Sequence, residues 1–270
     1  MNLHIEIIGL PGSGKSTCSR LTRKLLGRAG SPGYTLSQIE RLATRRASDG
    51  GHRPRLRSIL SRLSLVTAEE SALRLRLFHA SLVTFMADHG ELFHLFFDRQ
   101  IRREFTLEDR RHDLSYFLTL CSRFQMAKDK LASRENIVLD EGFSYIPIRT
   151  VGHGDSIIEE NLERYLDLIP VPDLLVHLHS TPEVTESRMR SRQSGYPGPL
   201  GEWTAVERMG FWRRCAHYVD RMVSGLAARG VEVVTVENTG EIDELESALA
   251  RVLPPSAMEG EDLTPAGGRG

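Results

Sequence analysis

The run Leu3-His4-Ile5-Glu6-Ile7-Ile8 opens directly onto Gly9-Leu10-Pro11-Gly12-Ser13-Gly14-Lys15-Ser16, and no other part of the chain constrains the fold as tightly. An apolar run, a glycine-rich loop, and then Cys18, Leu21 and Leu25 at helical spacing read as strand, loop and helix. The loop fits G-x-x-x-x-G-K-[ST], whose backbone N–H groups cradle nucleotide phosphates. Glycine lets the backbone approach a phosphate without a Cβ clash. The opening turn of the helix adds an anion site. Lys15 is placed to bring a point charge to the β- and γ-phosphates, and Ser16 a hydroxyl to Mg²⁺. On this reading Gly9, Gly12, Ser13, Gly14, Lys15, Ser16 and Thr17 bind ATP, and Mg²⁺ is the second cofactor.

Further runs of β character at Ile137–Asp140, Leu174–His179 and Val231–Val236 alternate with helical stretches, which predicts an α/β fold with a parallel sheet flanked by helices. Gly33–Ile39 reads as a short additional strand. Thr67–His89 and Leu107–Ser133 read as long amphipathic helices, so residues 35–134 form a mostly helical insertion. The most apolar helical stretch, Leu77–Phe97, is interrupted by Asp88, His89 and Gly90 and reads as a buried helix pair rather than a membrane span. Arg41–Arg62 carries seven arginines against Asp49, which suits a solvated helix and loop or a flap over an anionic substrate. Beyond Leu253 the composition predicts a disordered tail over 254–270, leaving 1–253 as one domain.

A net charge of −1 offers no global argument for nucleic acid or a membrane surface. Cys18, Cys121 and Cys215 are scattered without metal spacing, so reduced thiols and a cytoplasmic location are expected. The N-terminus runs straight into a core strand, which leaves no room for a signal peptide.

Three further segments bear on chemistry. Ile137-Val138-Leu139-Asp140-Glu141-Gly142 is a strand ending in acids, where phosphate-loop proteins hold Mg²⁺. Successive strand side chains point oppositely, so Asp140 is assigned to the metal and Glu141 to the base or an acceptor contact. Next, Ser180 and Glu183 have capping-box spacing before a helix carrying Arg188, Arg190 and Arg192. Arg188 and Arg192 are i, i+4, and the Gly/Pro-rich stretch after them reads as a lid over 188–201. His177 and His179 share a strand face, but no third metal ligand is near them in sequence. Finally, Asn238 and Glu241 have capping-box spacing, and Asn238, Thr239 and Gly240 follow the last strand at the sheet edge where nucleotide bases sit.

Together these segments resemble the nucleoside-monophosphate-kinase-like P-loop kinases, nearest to the thymidylate kinase and deoxyribonucleoside kinase branch. The resemblance implies a P-loop three-layer sandwich with a lid, to which the chain adds its helical insertion. It also implies phosphoryl transfer from ATP to a small-molecule acceptor, with Lys15, Asp140, Glu141, Arg188 and Arg192 catalytic. The acceptor would be anionic or nucleoside-like, and a homodimer is compatible with the family. The chain departs from the pattern in two places, one being the long helical, Arg-rich insertion, which has no counterpart in the family. Thymidylate kinases carry Asp-Arg and deoxynucleoside kinases Glu-Arg where this chain has Asp140-Glu141, so the arginine that would meet the acceptor is missing there. A regulatory ATPase or NTP switch, or a sulfotransferase-like enzyme on a related fold, are the alternatives.

Overall fold

The alternation of strands and helices resolves into an all-parallel sheet in the computed structural model, which describes residues 2–49, 68–102, 107–151, 157–192, 195, 196, 198–238 and 240–253. Strands β1 (His4–Ile8), β2 (Gly33–Tyr34), β3 (Asn136–Leu139), β4 (Leu174–His179) and β5 (Glu232–Glu237) pair in the order β2-β3-β1-β4-β5. The helices are α1 (Lys15–Arg28), α2 (Leu36–Asp49), α3 (Ala68–Asp88), α4 (Gly90–Arg102), α5 (Leu107–Lys130), α6 (Ile146–Thr150), α7 (Ile157–Leu168), α8 (Pro182–Arg190), α9 (Ala205–Ala228) and α10 (Ile242–Val252).

Period-two alternation divides the strand side chains between two cores. Ile5, Ile7, Val138, Leu174, Val176 and Leu178 pack with Cys18, Leu21 and Leu25 of α1 and with Leu245 and Leu249 of α10. Ile8, Ile137, Leu139 and Leu175 belong to the other core, with Phe85 of α3, Phe124 of α5 and Trp212 of α9. Helices thus flank the sheet in an arrangement compatible with a three-layer sandwich. β1 is central, with all five of its residues buried, because β3 and β4 cover its two edges. The second core reaches the turn after β3. Phe143 stacks on Phe85 with ring centroids 5.7 Å apart and meets Phe124 edge-on at 5.3 Å.

Several element limits differ from expectation. The strand expected over Gly33–Ile39 stops at Tyr34, because Gln38 turns back to accept the Thr35 backbone N–H at 3.0 Å and starts α2. β3 ends at Leu139, one residue before Asp140. The long helices are α3, from Ala68, and α5, which ends at Lys130 rather than Ser133. Leu77–Phe97 does break into two helices at His89, but the pair is buried on one side alone. Phe85, Leu92 and Phe93 are enclosed, whereas Leu75 and Val83 are 56% and 66% exposed. Among the described residues no helix is long and apolar enough to cross a membrane. Residues 50–67, which hold most of the arginine-rich segment, and the expected tail 254–270 lie outside the described residues.

Candidate functional site

In a parallel sheet every strand ends at the same edge, so the loops after β1, β3, β4 and β5 converge. The loop after β1 folds through a turn in which Ser13 N–H donates to the Leu10 carbonyl at 3.0 Å. Gly12 and Gly14 take φ of 90° and 95°, a left-handed conformation that glycine adopts without strain. The loop is also hemmed in. A Cβ on Gly12 would lie 2.7 Å from Met189 Cγ of α8, and one on Gly14 2.8 Å from Asn238 Nδ2. Trp212 Nε1 donates to the Pro11 carbonyl at 3.2 Å, and Asn238 Nδ2 donates to the Ser13 carbonyl.

Two features of this loop fit an oxyanion. Helix α1 starts at Lys15 with Gly14 as its cap residue, so no side chain satisfies its first N–H groups. The Ser13 hydroxyl is buried without a hydrogen-bond partner. Lys15 is 7% exposed; its ammonium donates to the Gly9 and Leu10 carbonyls at 3.3 and 3.2 Å and lies 4.2 Å above the Tyr145 ring. Burial pushes its pKa down to about 8, while Glu141 and Asp140 pull it upward. Lys15 is thus a buried cation, and Asp140 and Glu141 follow β3, the strand paired with β1, at the same edge of the sheet. Ser16 is exposed, Thr17 half-buried, and Asp140 and Glu141 half-buried just beyond β3.

A residue that the sequence reading passed over holds this geometry. Glu6, at the middle of β1, is fully buried and accepts the Phe143 and Ser144 backbone N–H groups at 3.0 and 2.8 Å. His4 Nε2 lies 3.0 Å from the same carboxylate. Burial would raise the Glu6 pKa, yet the hydrogen bonds and charge of His4, with the Ser144 contacts, hold it below the ordinary carboxylate value. Gly142 fits because it has no side chain; a Cβ would fall 2.3 Å from the Glu6 carboxylate. The available signal was a carboxylate between Ile5 and Ile7 in a buried strand, where burial demands hydrogen-bond partners that the sequence does not name.

The helix expected to lead into a lid departs from expectation. Thr181, not Ser180, caps α8 by accepting the Val184 N–H at 3.3 Å, with Pro182 in the first turn. The helix closes at Arg190, so Arg192 lies beyond it and does not continue the face of Arg188. Arg192 is exposed, and its charge still depresses the Lys15 pKa. Arg188 Nη2 donates to the Asn238 carbonyl at 2.9 Å, tying α8 to the loop after β5. Arg190 points away, 67% exposed and 4.0 Å from Glu186. The expected Asn238–Glu241 capping box is not formed. Glu241 occupies the cap position without a side-chain bond, while Asn238 accepts the Gly240 N–H at 3.0 Å. Thr239 lies outside the described residues.

His177 and His179 meet edge-on with centroids 5.6 Å apart, and His177 lies 3.4 Å from the Thr235 hydroxyl. Among the described residues no group of three His, Cys, Asp or Glu side chains is placed to hold a metal. Burial pushes the Cys18 and Cys215 thiols up to about 12, so neither is a ready nucleophile.

Beside Glu141 stands Arg149 of α6, also unforeseen. Its Nη1 is 3.9 Å from Glu141 Oε2, and its guanidinium lies 4.2 Å above the Tyr116 ring. The Tyr116 hydroxyl donates to the Glu141 carbonyl. No protein-family model matches the chain, and no curated protein is significantly similar to it.

Proposed function

We propose that the protein is an ATP-dependent phosphotransferase that moves the γ-phosphoryl group of ATP to a small-molecule acceptor. The observation that carries this reading is the loop with left-handed Gly12 and Gly14, a buried Lys15 ammonium and a buried, unpartnered Ser13 hydroxyl, opening onto a helix without a side-chain cap. The Gly9–Ser16 loop and the start of α1 would bind the phosphates, with Asn238 and Gly240 behind the base. Lys15 would exchange its bonds to the Gly9 and Leu10 carbonyls for phosphate oxygens. Ser16 and Asp140 would hold Mg²⁺, which when bound neutralises charge on the phosphates. Glu141 would accept the acceptor's hydroxyl proton as the acceptor oxygen bonds to the γ-phosphorus. The bond from that phosphorus to the bridging oxygen then breaks, and ADP leaves. Arg188 supports the nucleotide side through Asn238, and Arg192 is the exposed cation available to a closing lid.

The test is ADP release measured against a library of metabolites and nucleosides. Release that depends on one acceptor, with the phosphoryl group recovered on it, supports the transferase. Release at the same rate without any acceptor would make the protein an ATPase instead.

A further inference from the structure

Arg149 occupies an unusual position for a structural arginine. It is mostly buried, with a side-chain exposure of 21%, yet its ion pairs are long: 3.7 Å to Asp113 and 3.9 Å to Glu141. Among the described residues its Nε–H is buried with no hydrogen-bond partner, and its guanidinium hydrogen-bonds His112 alone. A guanidinium carries five N–H donors in a fixed plane. Here the guanidinium carbon sits 4.2 Å over the Tyr116 ring, which anchors the group while its Nε–H remains without a partner. Asp113, 3% exposed, neutralises part of the charge without binding it tightly.

The direction of the fork matters. The Glu141 carboxylate stands 3.9 Å from Arg149 Nη1, at the turn that follows β3. A molecule that presents a hydroxyl to Glu141 would thus sit beside the Arg149 donors. His112, Asp113 and Tyr116 all belong to α5, so the helical insertion forms this wall.

We propose that Arg149, held by Tyr116 and Asp113, is the acceptor-recognition residue, and that the acceptor carries an oxyanion, a phosphate or carboxylate, close to the hydroxyl it offers. This rests on the phosphotransferase reading. Planar bidentate recognition of such a group is what an oriented guanidinium provides and an ammonium does not.

The experiment titrates phenyl phosphate and benzoate separately into the ADP-loaded protein by calorimetry. Wild type, Arg149→Lys and Arg149→Gln are compared, after ADP binding has been measured for each. The expected result is saturable binding of one probe to wild type, weakened about 10- to 100-fold in both variants, with ADP affinity unchanged. Which probe binds separates phosphate from carboxylate. In parallel, phenylglyoxal modification of wild type is read by peptide mass spectrometry, so the result does not depend on the variants folding. The bound probe should protect Arg149, and ADP alone should not. Absence of binding by either probe, or equal binding by the variants, or Arg149 modified at the same rate with and without probe, overturns the assignment. Failure of wild type to bind ADP overturns the phosphotransferase reading beneath it.

Discussion

At the scale of single residues, Lys15 carries two opposed consequences. Its pKa lies near 8 in the folded chain against an ordinary 10.5, so the buried ammonium destabilises the ligand-free protein below about pH 8. Between those values the unfolded chain binds more protons, and the Lys15 contribution to stability rises with pH. Lys15→Met should therefore stabilise the nucleotide-free protein at pH 7 by up to about 3 kcal/mol. That gain should fade towards pH 10, as measured by urea unfolding at both values. The same substitution should remove turnover by about 10²–10³. A variant that is both less stable at pH 7 and active would contradict the role given to this cation. Glu6 runs the other way. Its folded pKa is lowered, so its stabilisation is complete above the ordinary carboxylate range and is lost as pH falls through the depressed value. Glu6→Gln places an NH₂ group against backbone donors and should cost about 1–3 kcal/mol at pH 7. It should also flatten the acid limb of a stability–pH curve.

At the scale of elements, legibility followed locality. The loop and the start of α1 could be read because glycine spacing and helical period are contained within a few residues. Where the chain stops a helix was harder. Thr181 and Ser180 are chemically equivalent caps, and the closure of α8 at Arg190 removes Arg192 from the face it was expected to share with Arg188. The arginines consequently separate in their expected effects. Arg188→Ala should raise KM for ATP more than it lowers kcat, because the side chain acts through the Asn238 carbonyl. Arg190→Ala should stay within about 0.5 kcal/mol of wild type in stability and leave both constants unchanged. Steady-state kinetics on the two variants decides this, and equal losses at both positions would indicate a nonspecific charge effect. Arg149 and Glu6 were not legible because their meaning is tertiary. Arg149 matters through Tyr116, far away in sequence, and Glu6 through a turn 137 residues later.

At the scale of the whole molecule, α9 joins the Gly9–Ser16 loop to the body of the second core. Trp212 is fully buried there and donates to the Pro11 carbonyl. Nucleotide binding should change that bond, so tryptophan emission should shift on ADP titration and the shift should vanish in Trp212→Phe. An unchanged signal in wild type would place the nucleotide elsewhere. The order of the sheet was not legible, because strand order depends on which helices cross over, and apolar runs carry no record of neighbours.

The two sheet edges carry a consequence for how copies of the chain meet. β2 at one edge is two residues long, and β5 at the other has exposed glutamates, Glu232 and Glu237, at both ends. Neither offers the long, flat, uncharged ladder on which a foreign strand could add. Neither edge of the described sheet therefore favours sheet-to-sheet propagation into fibres.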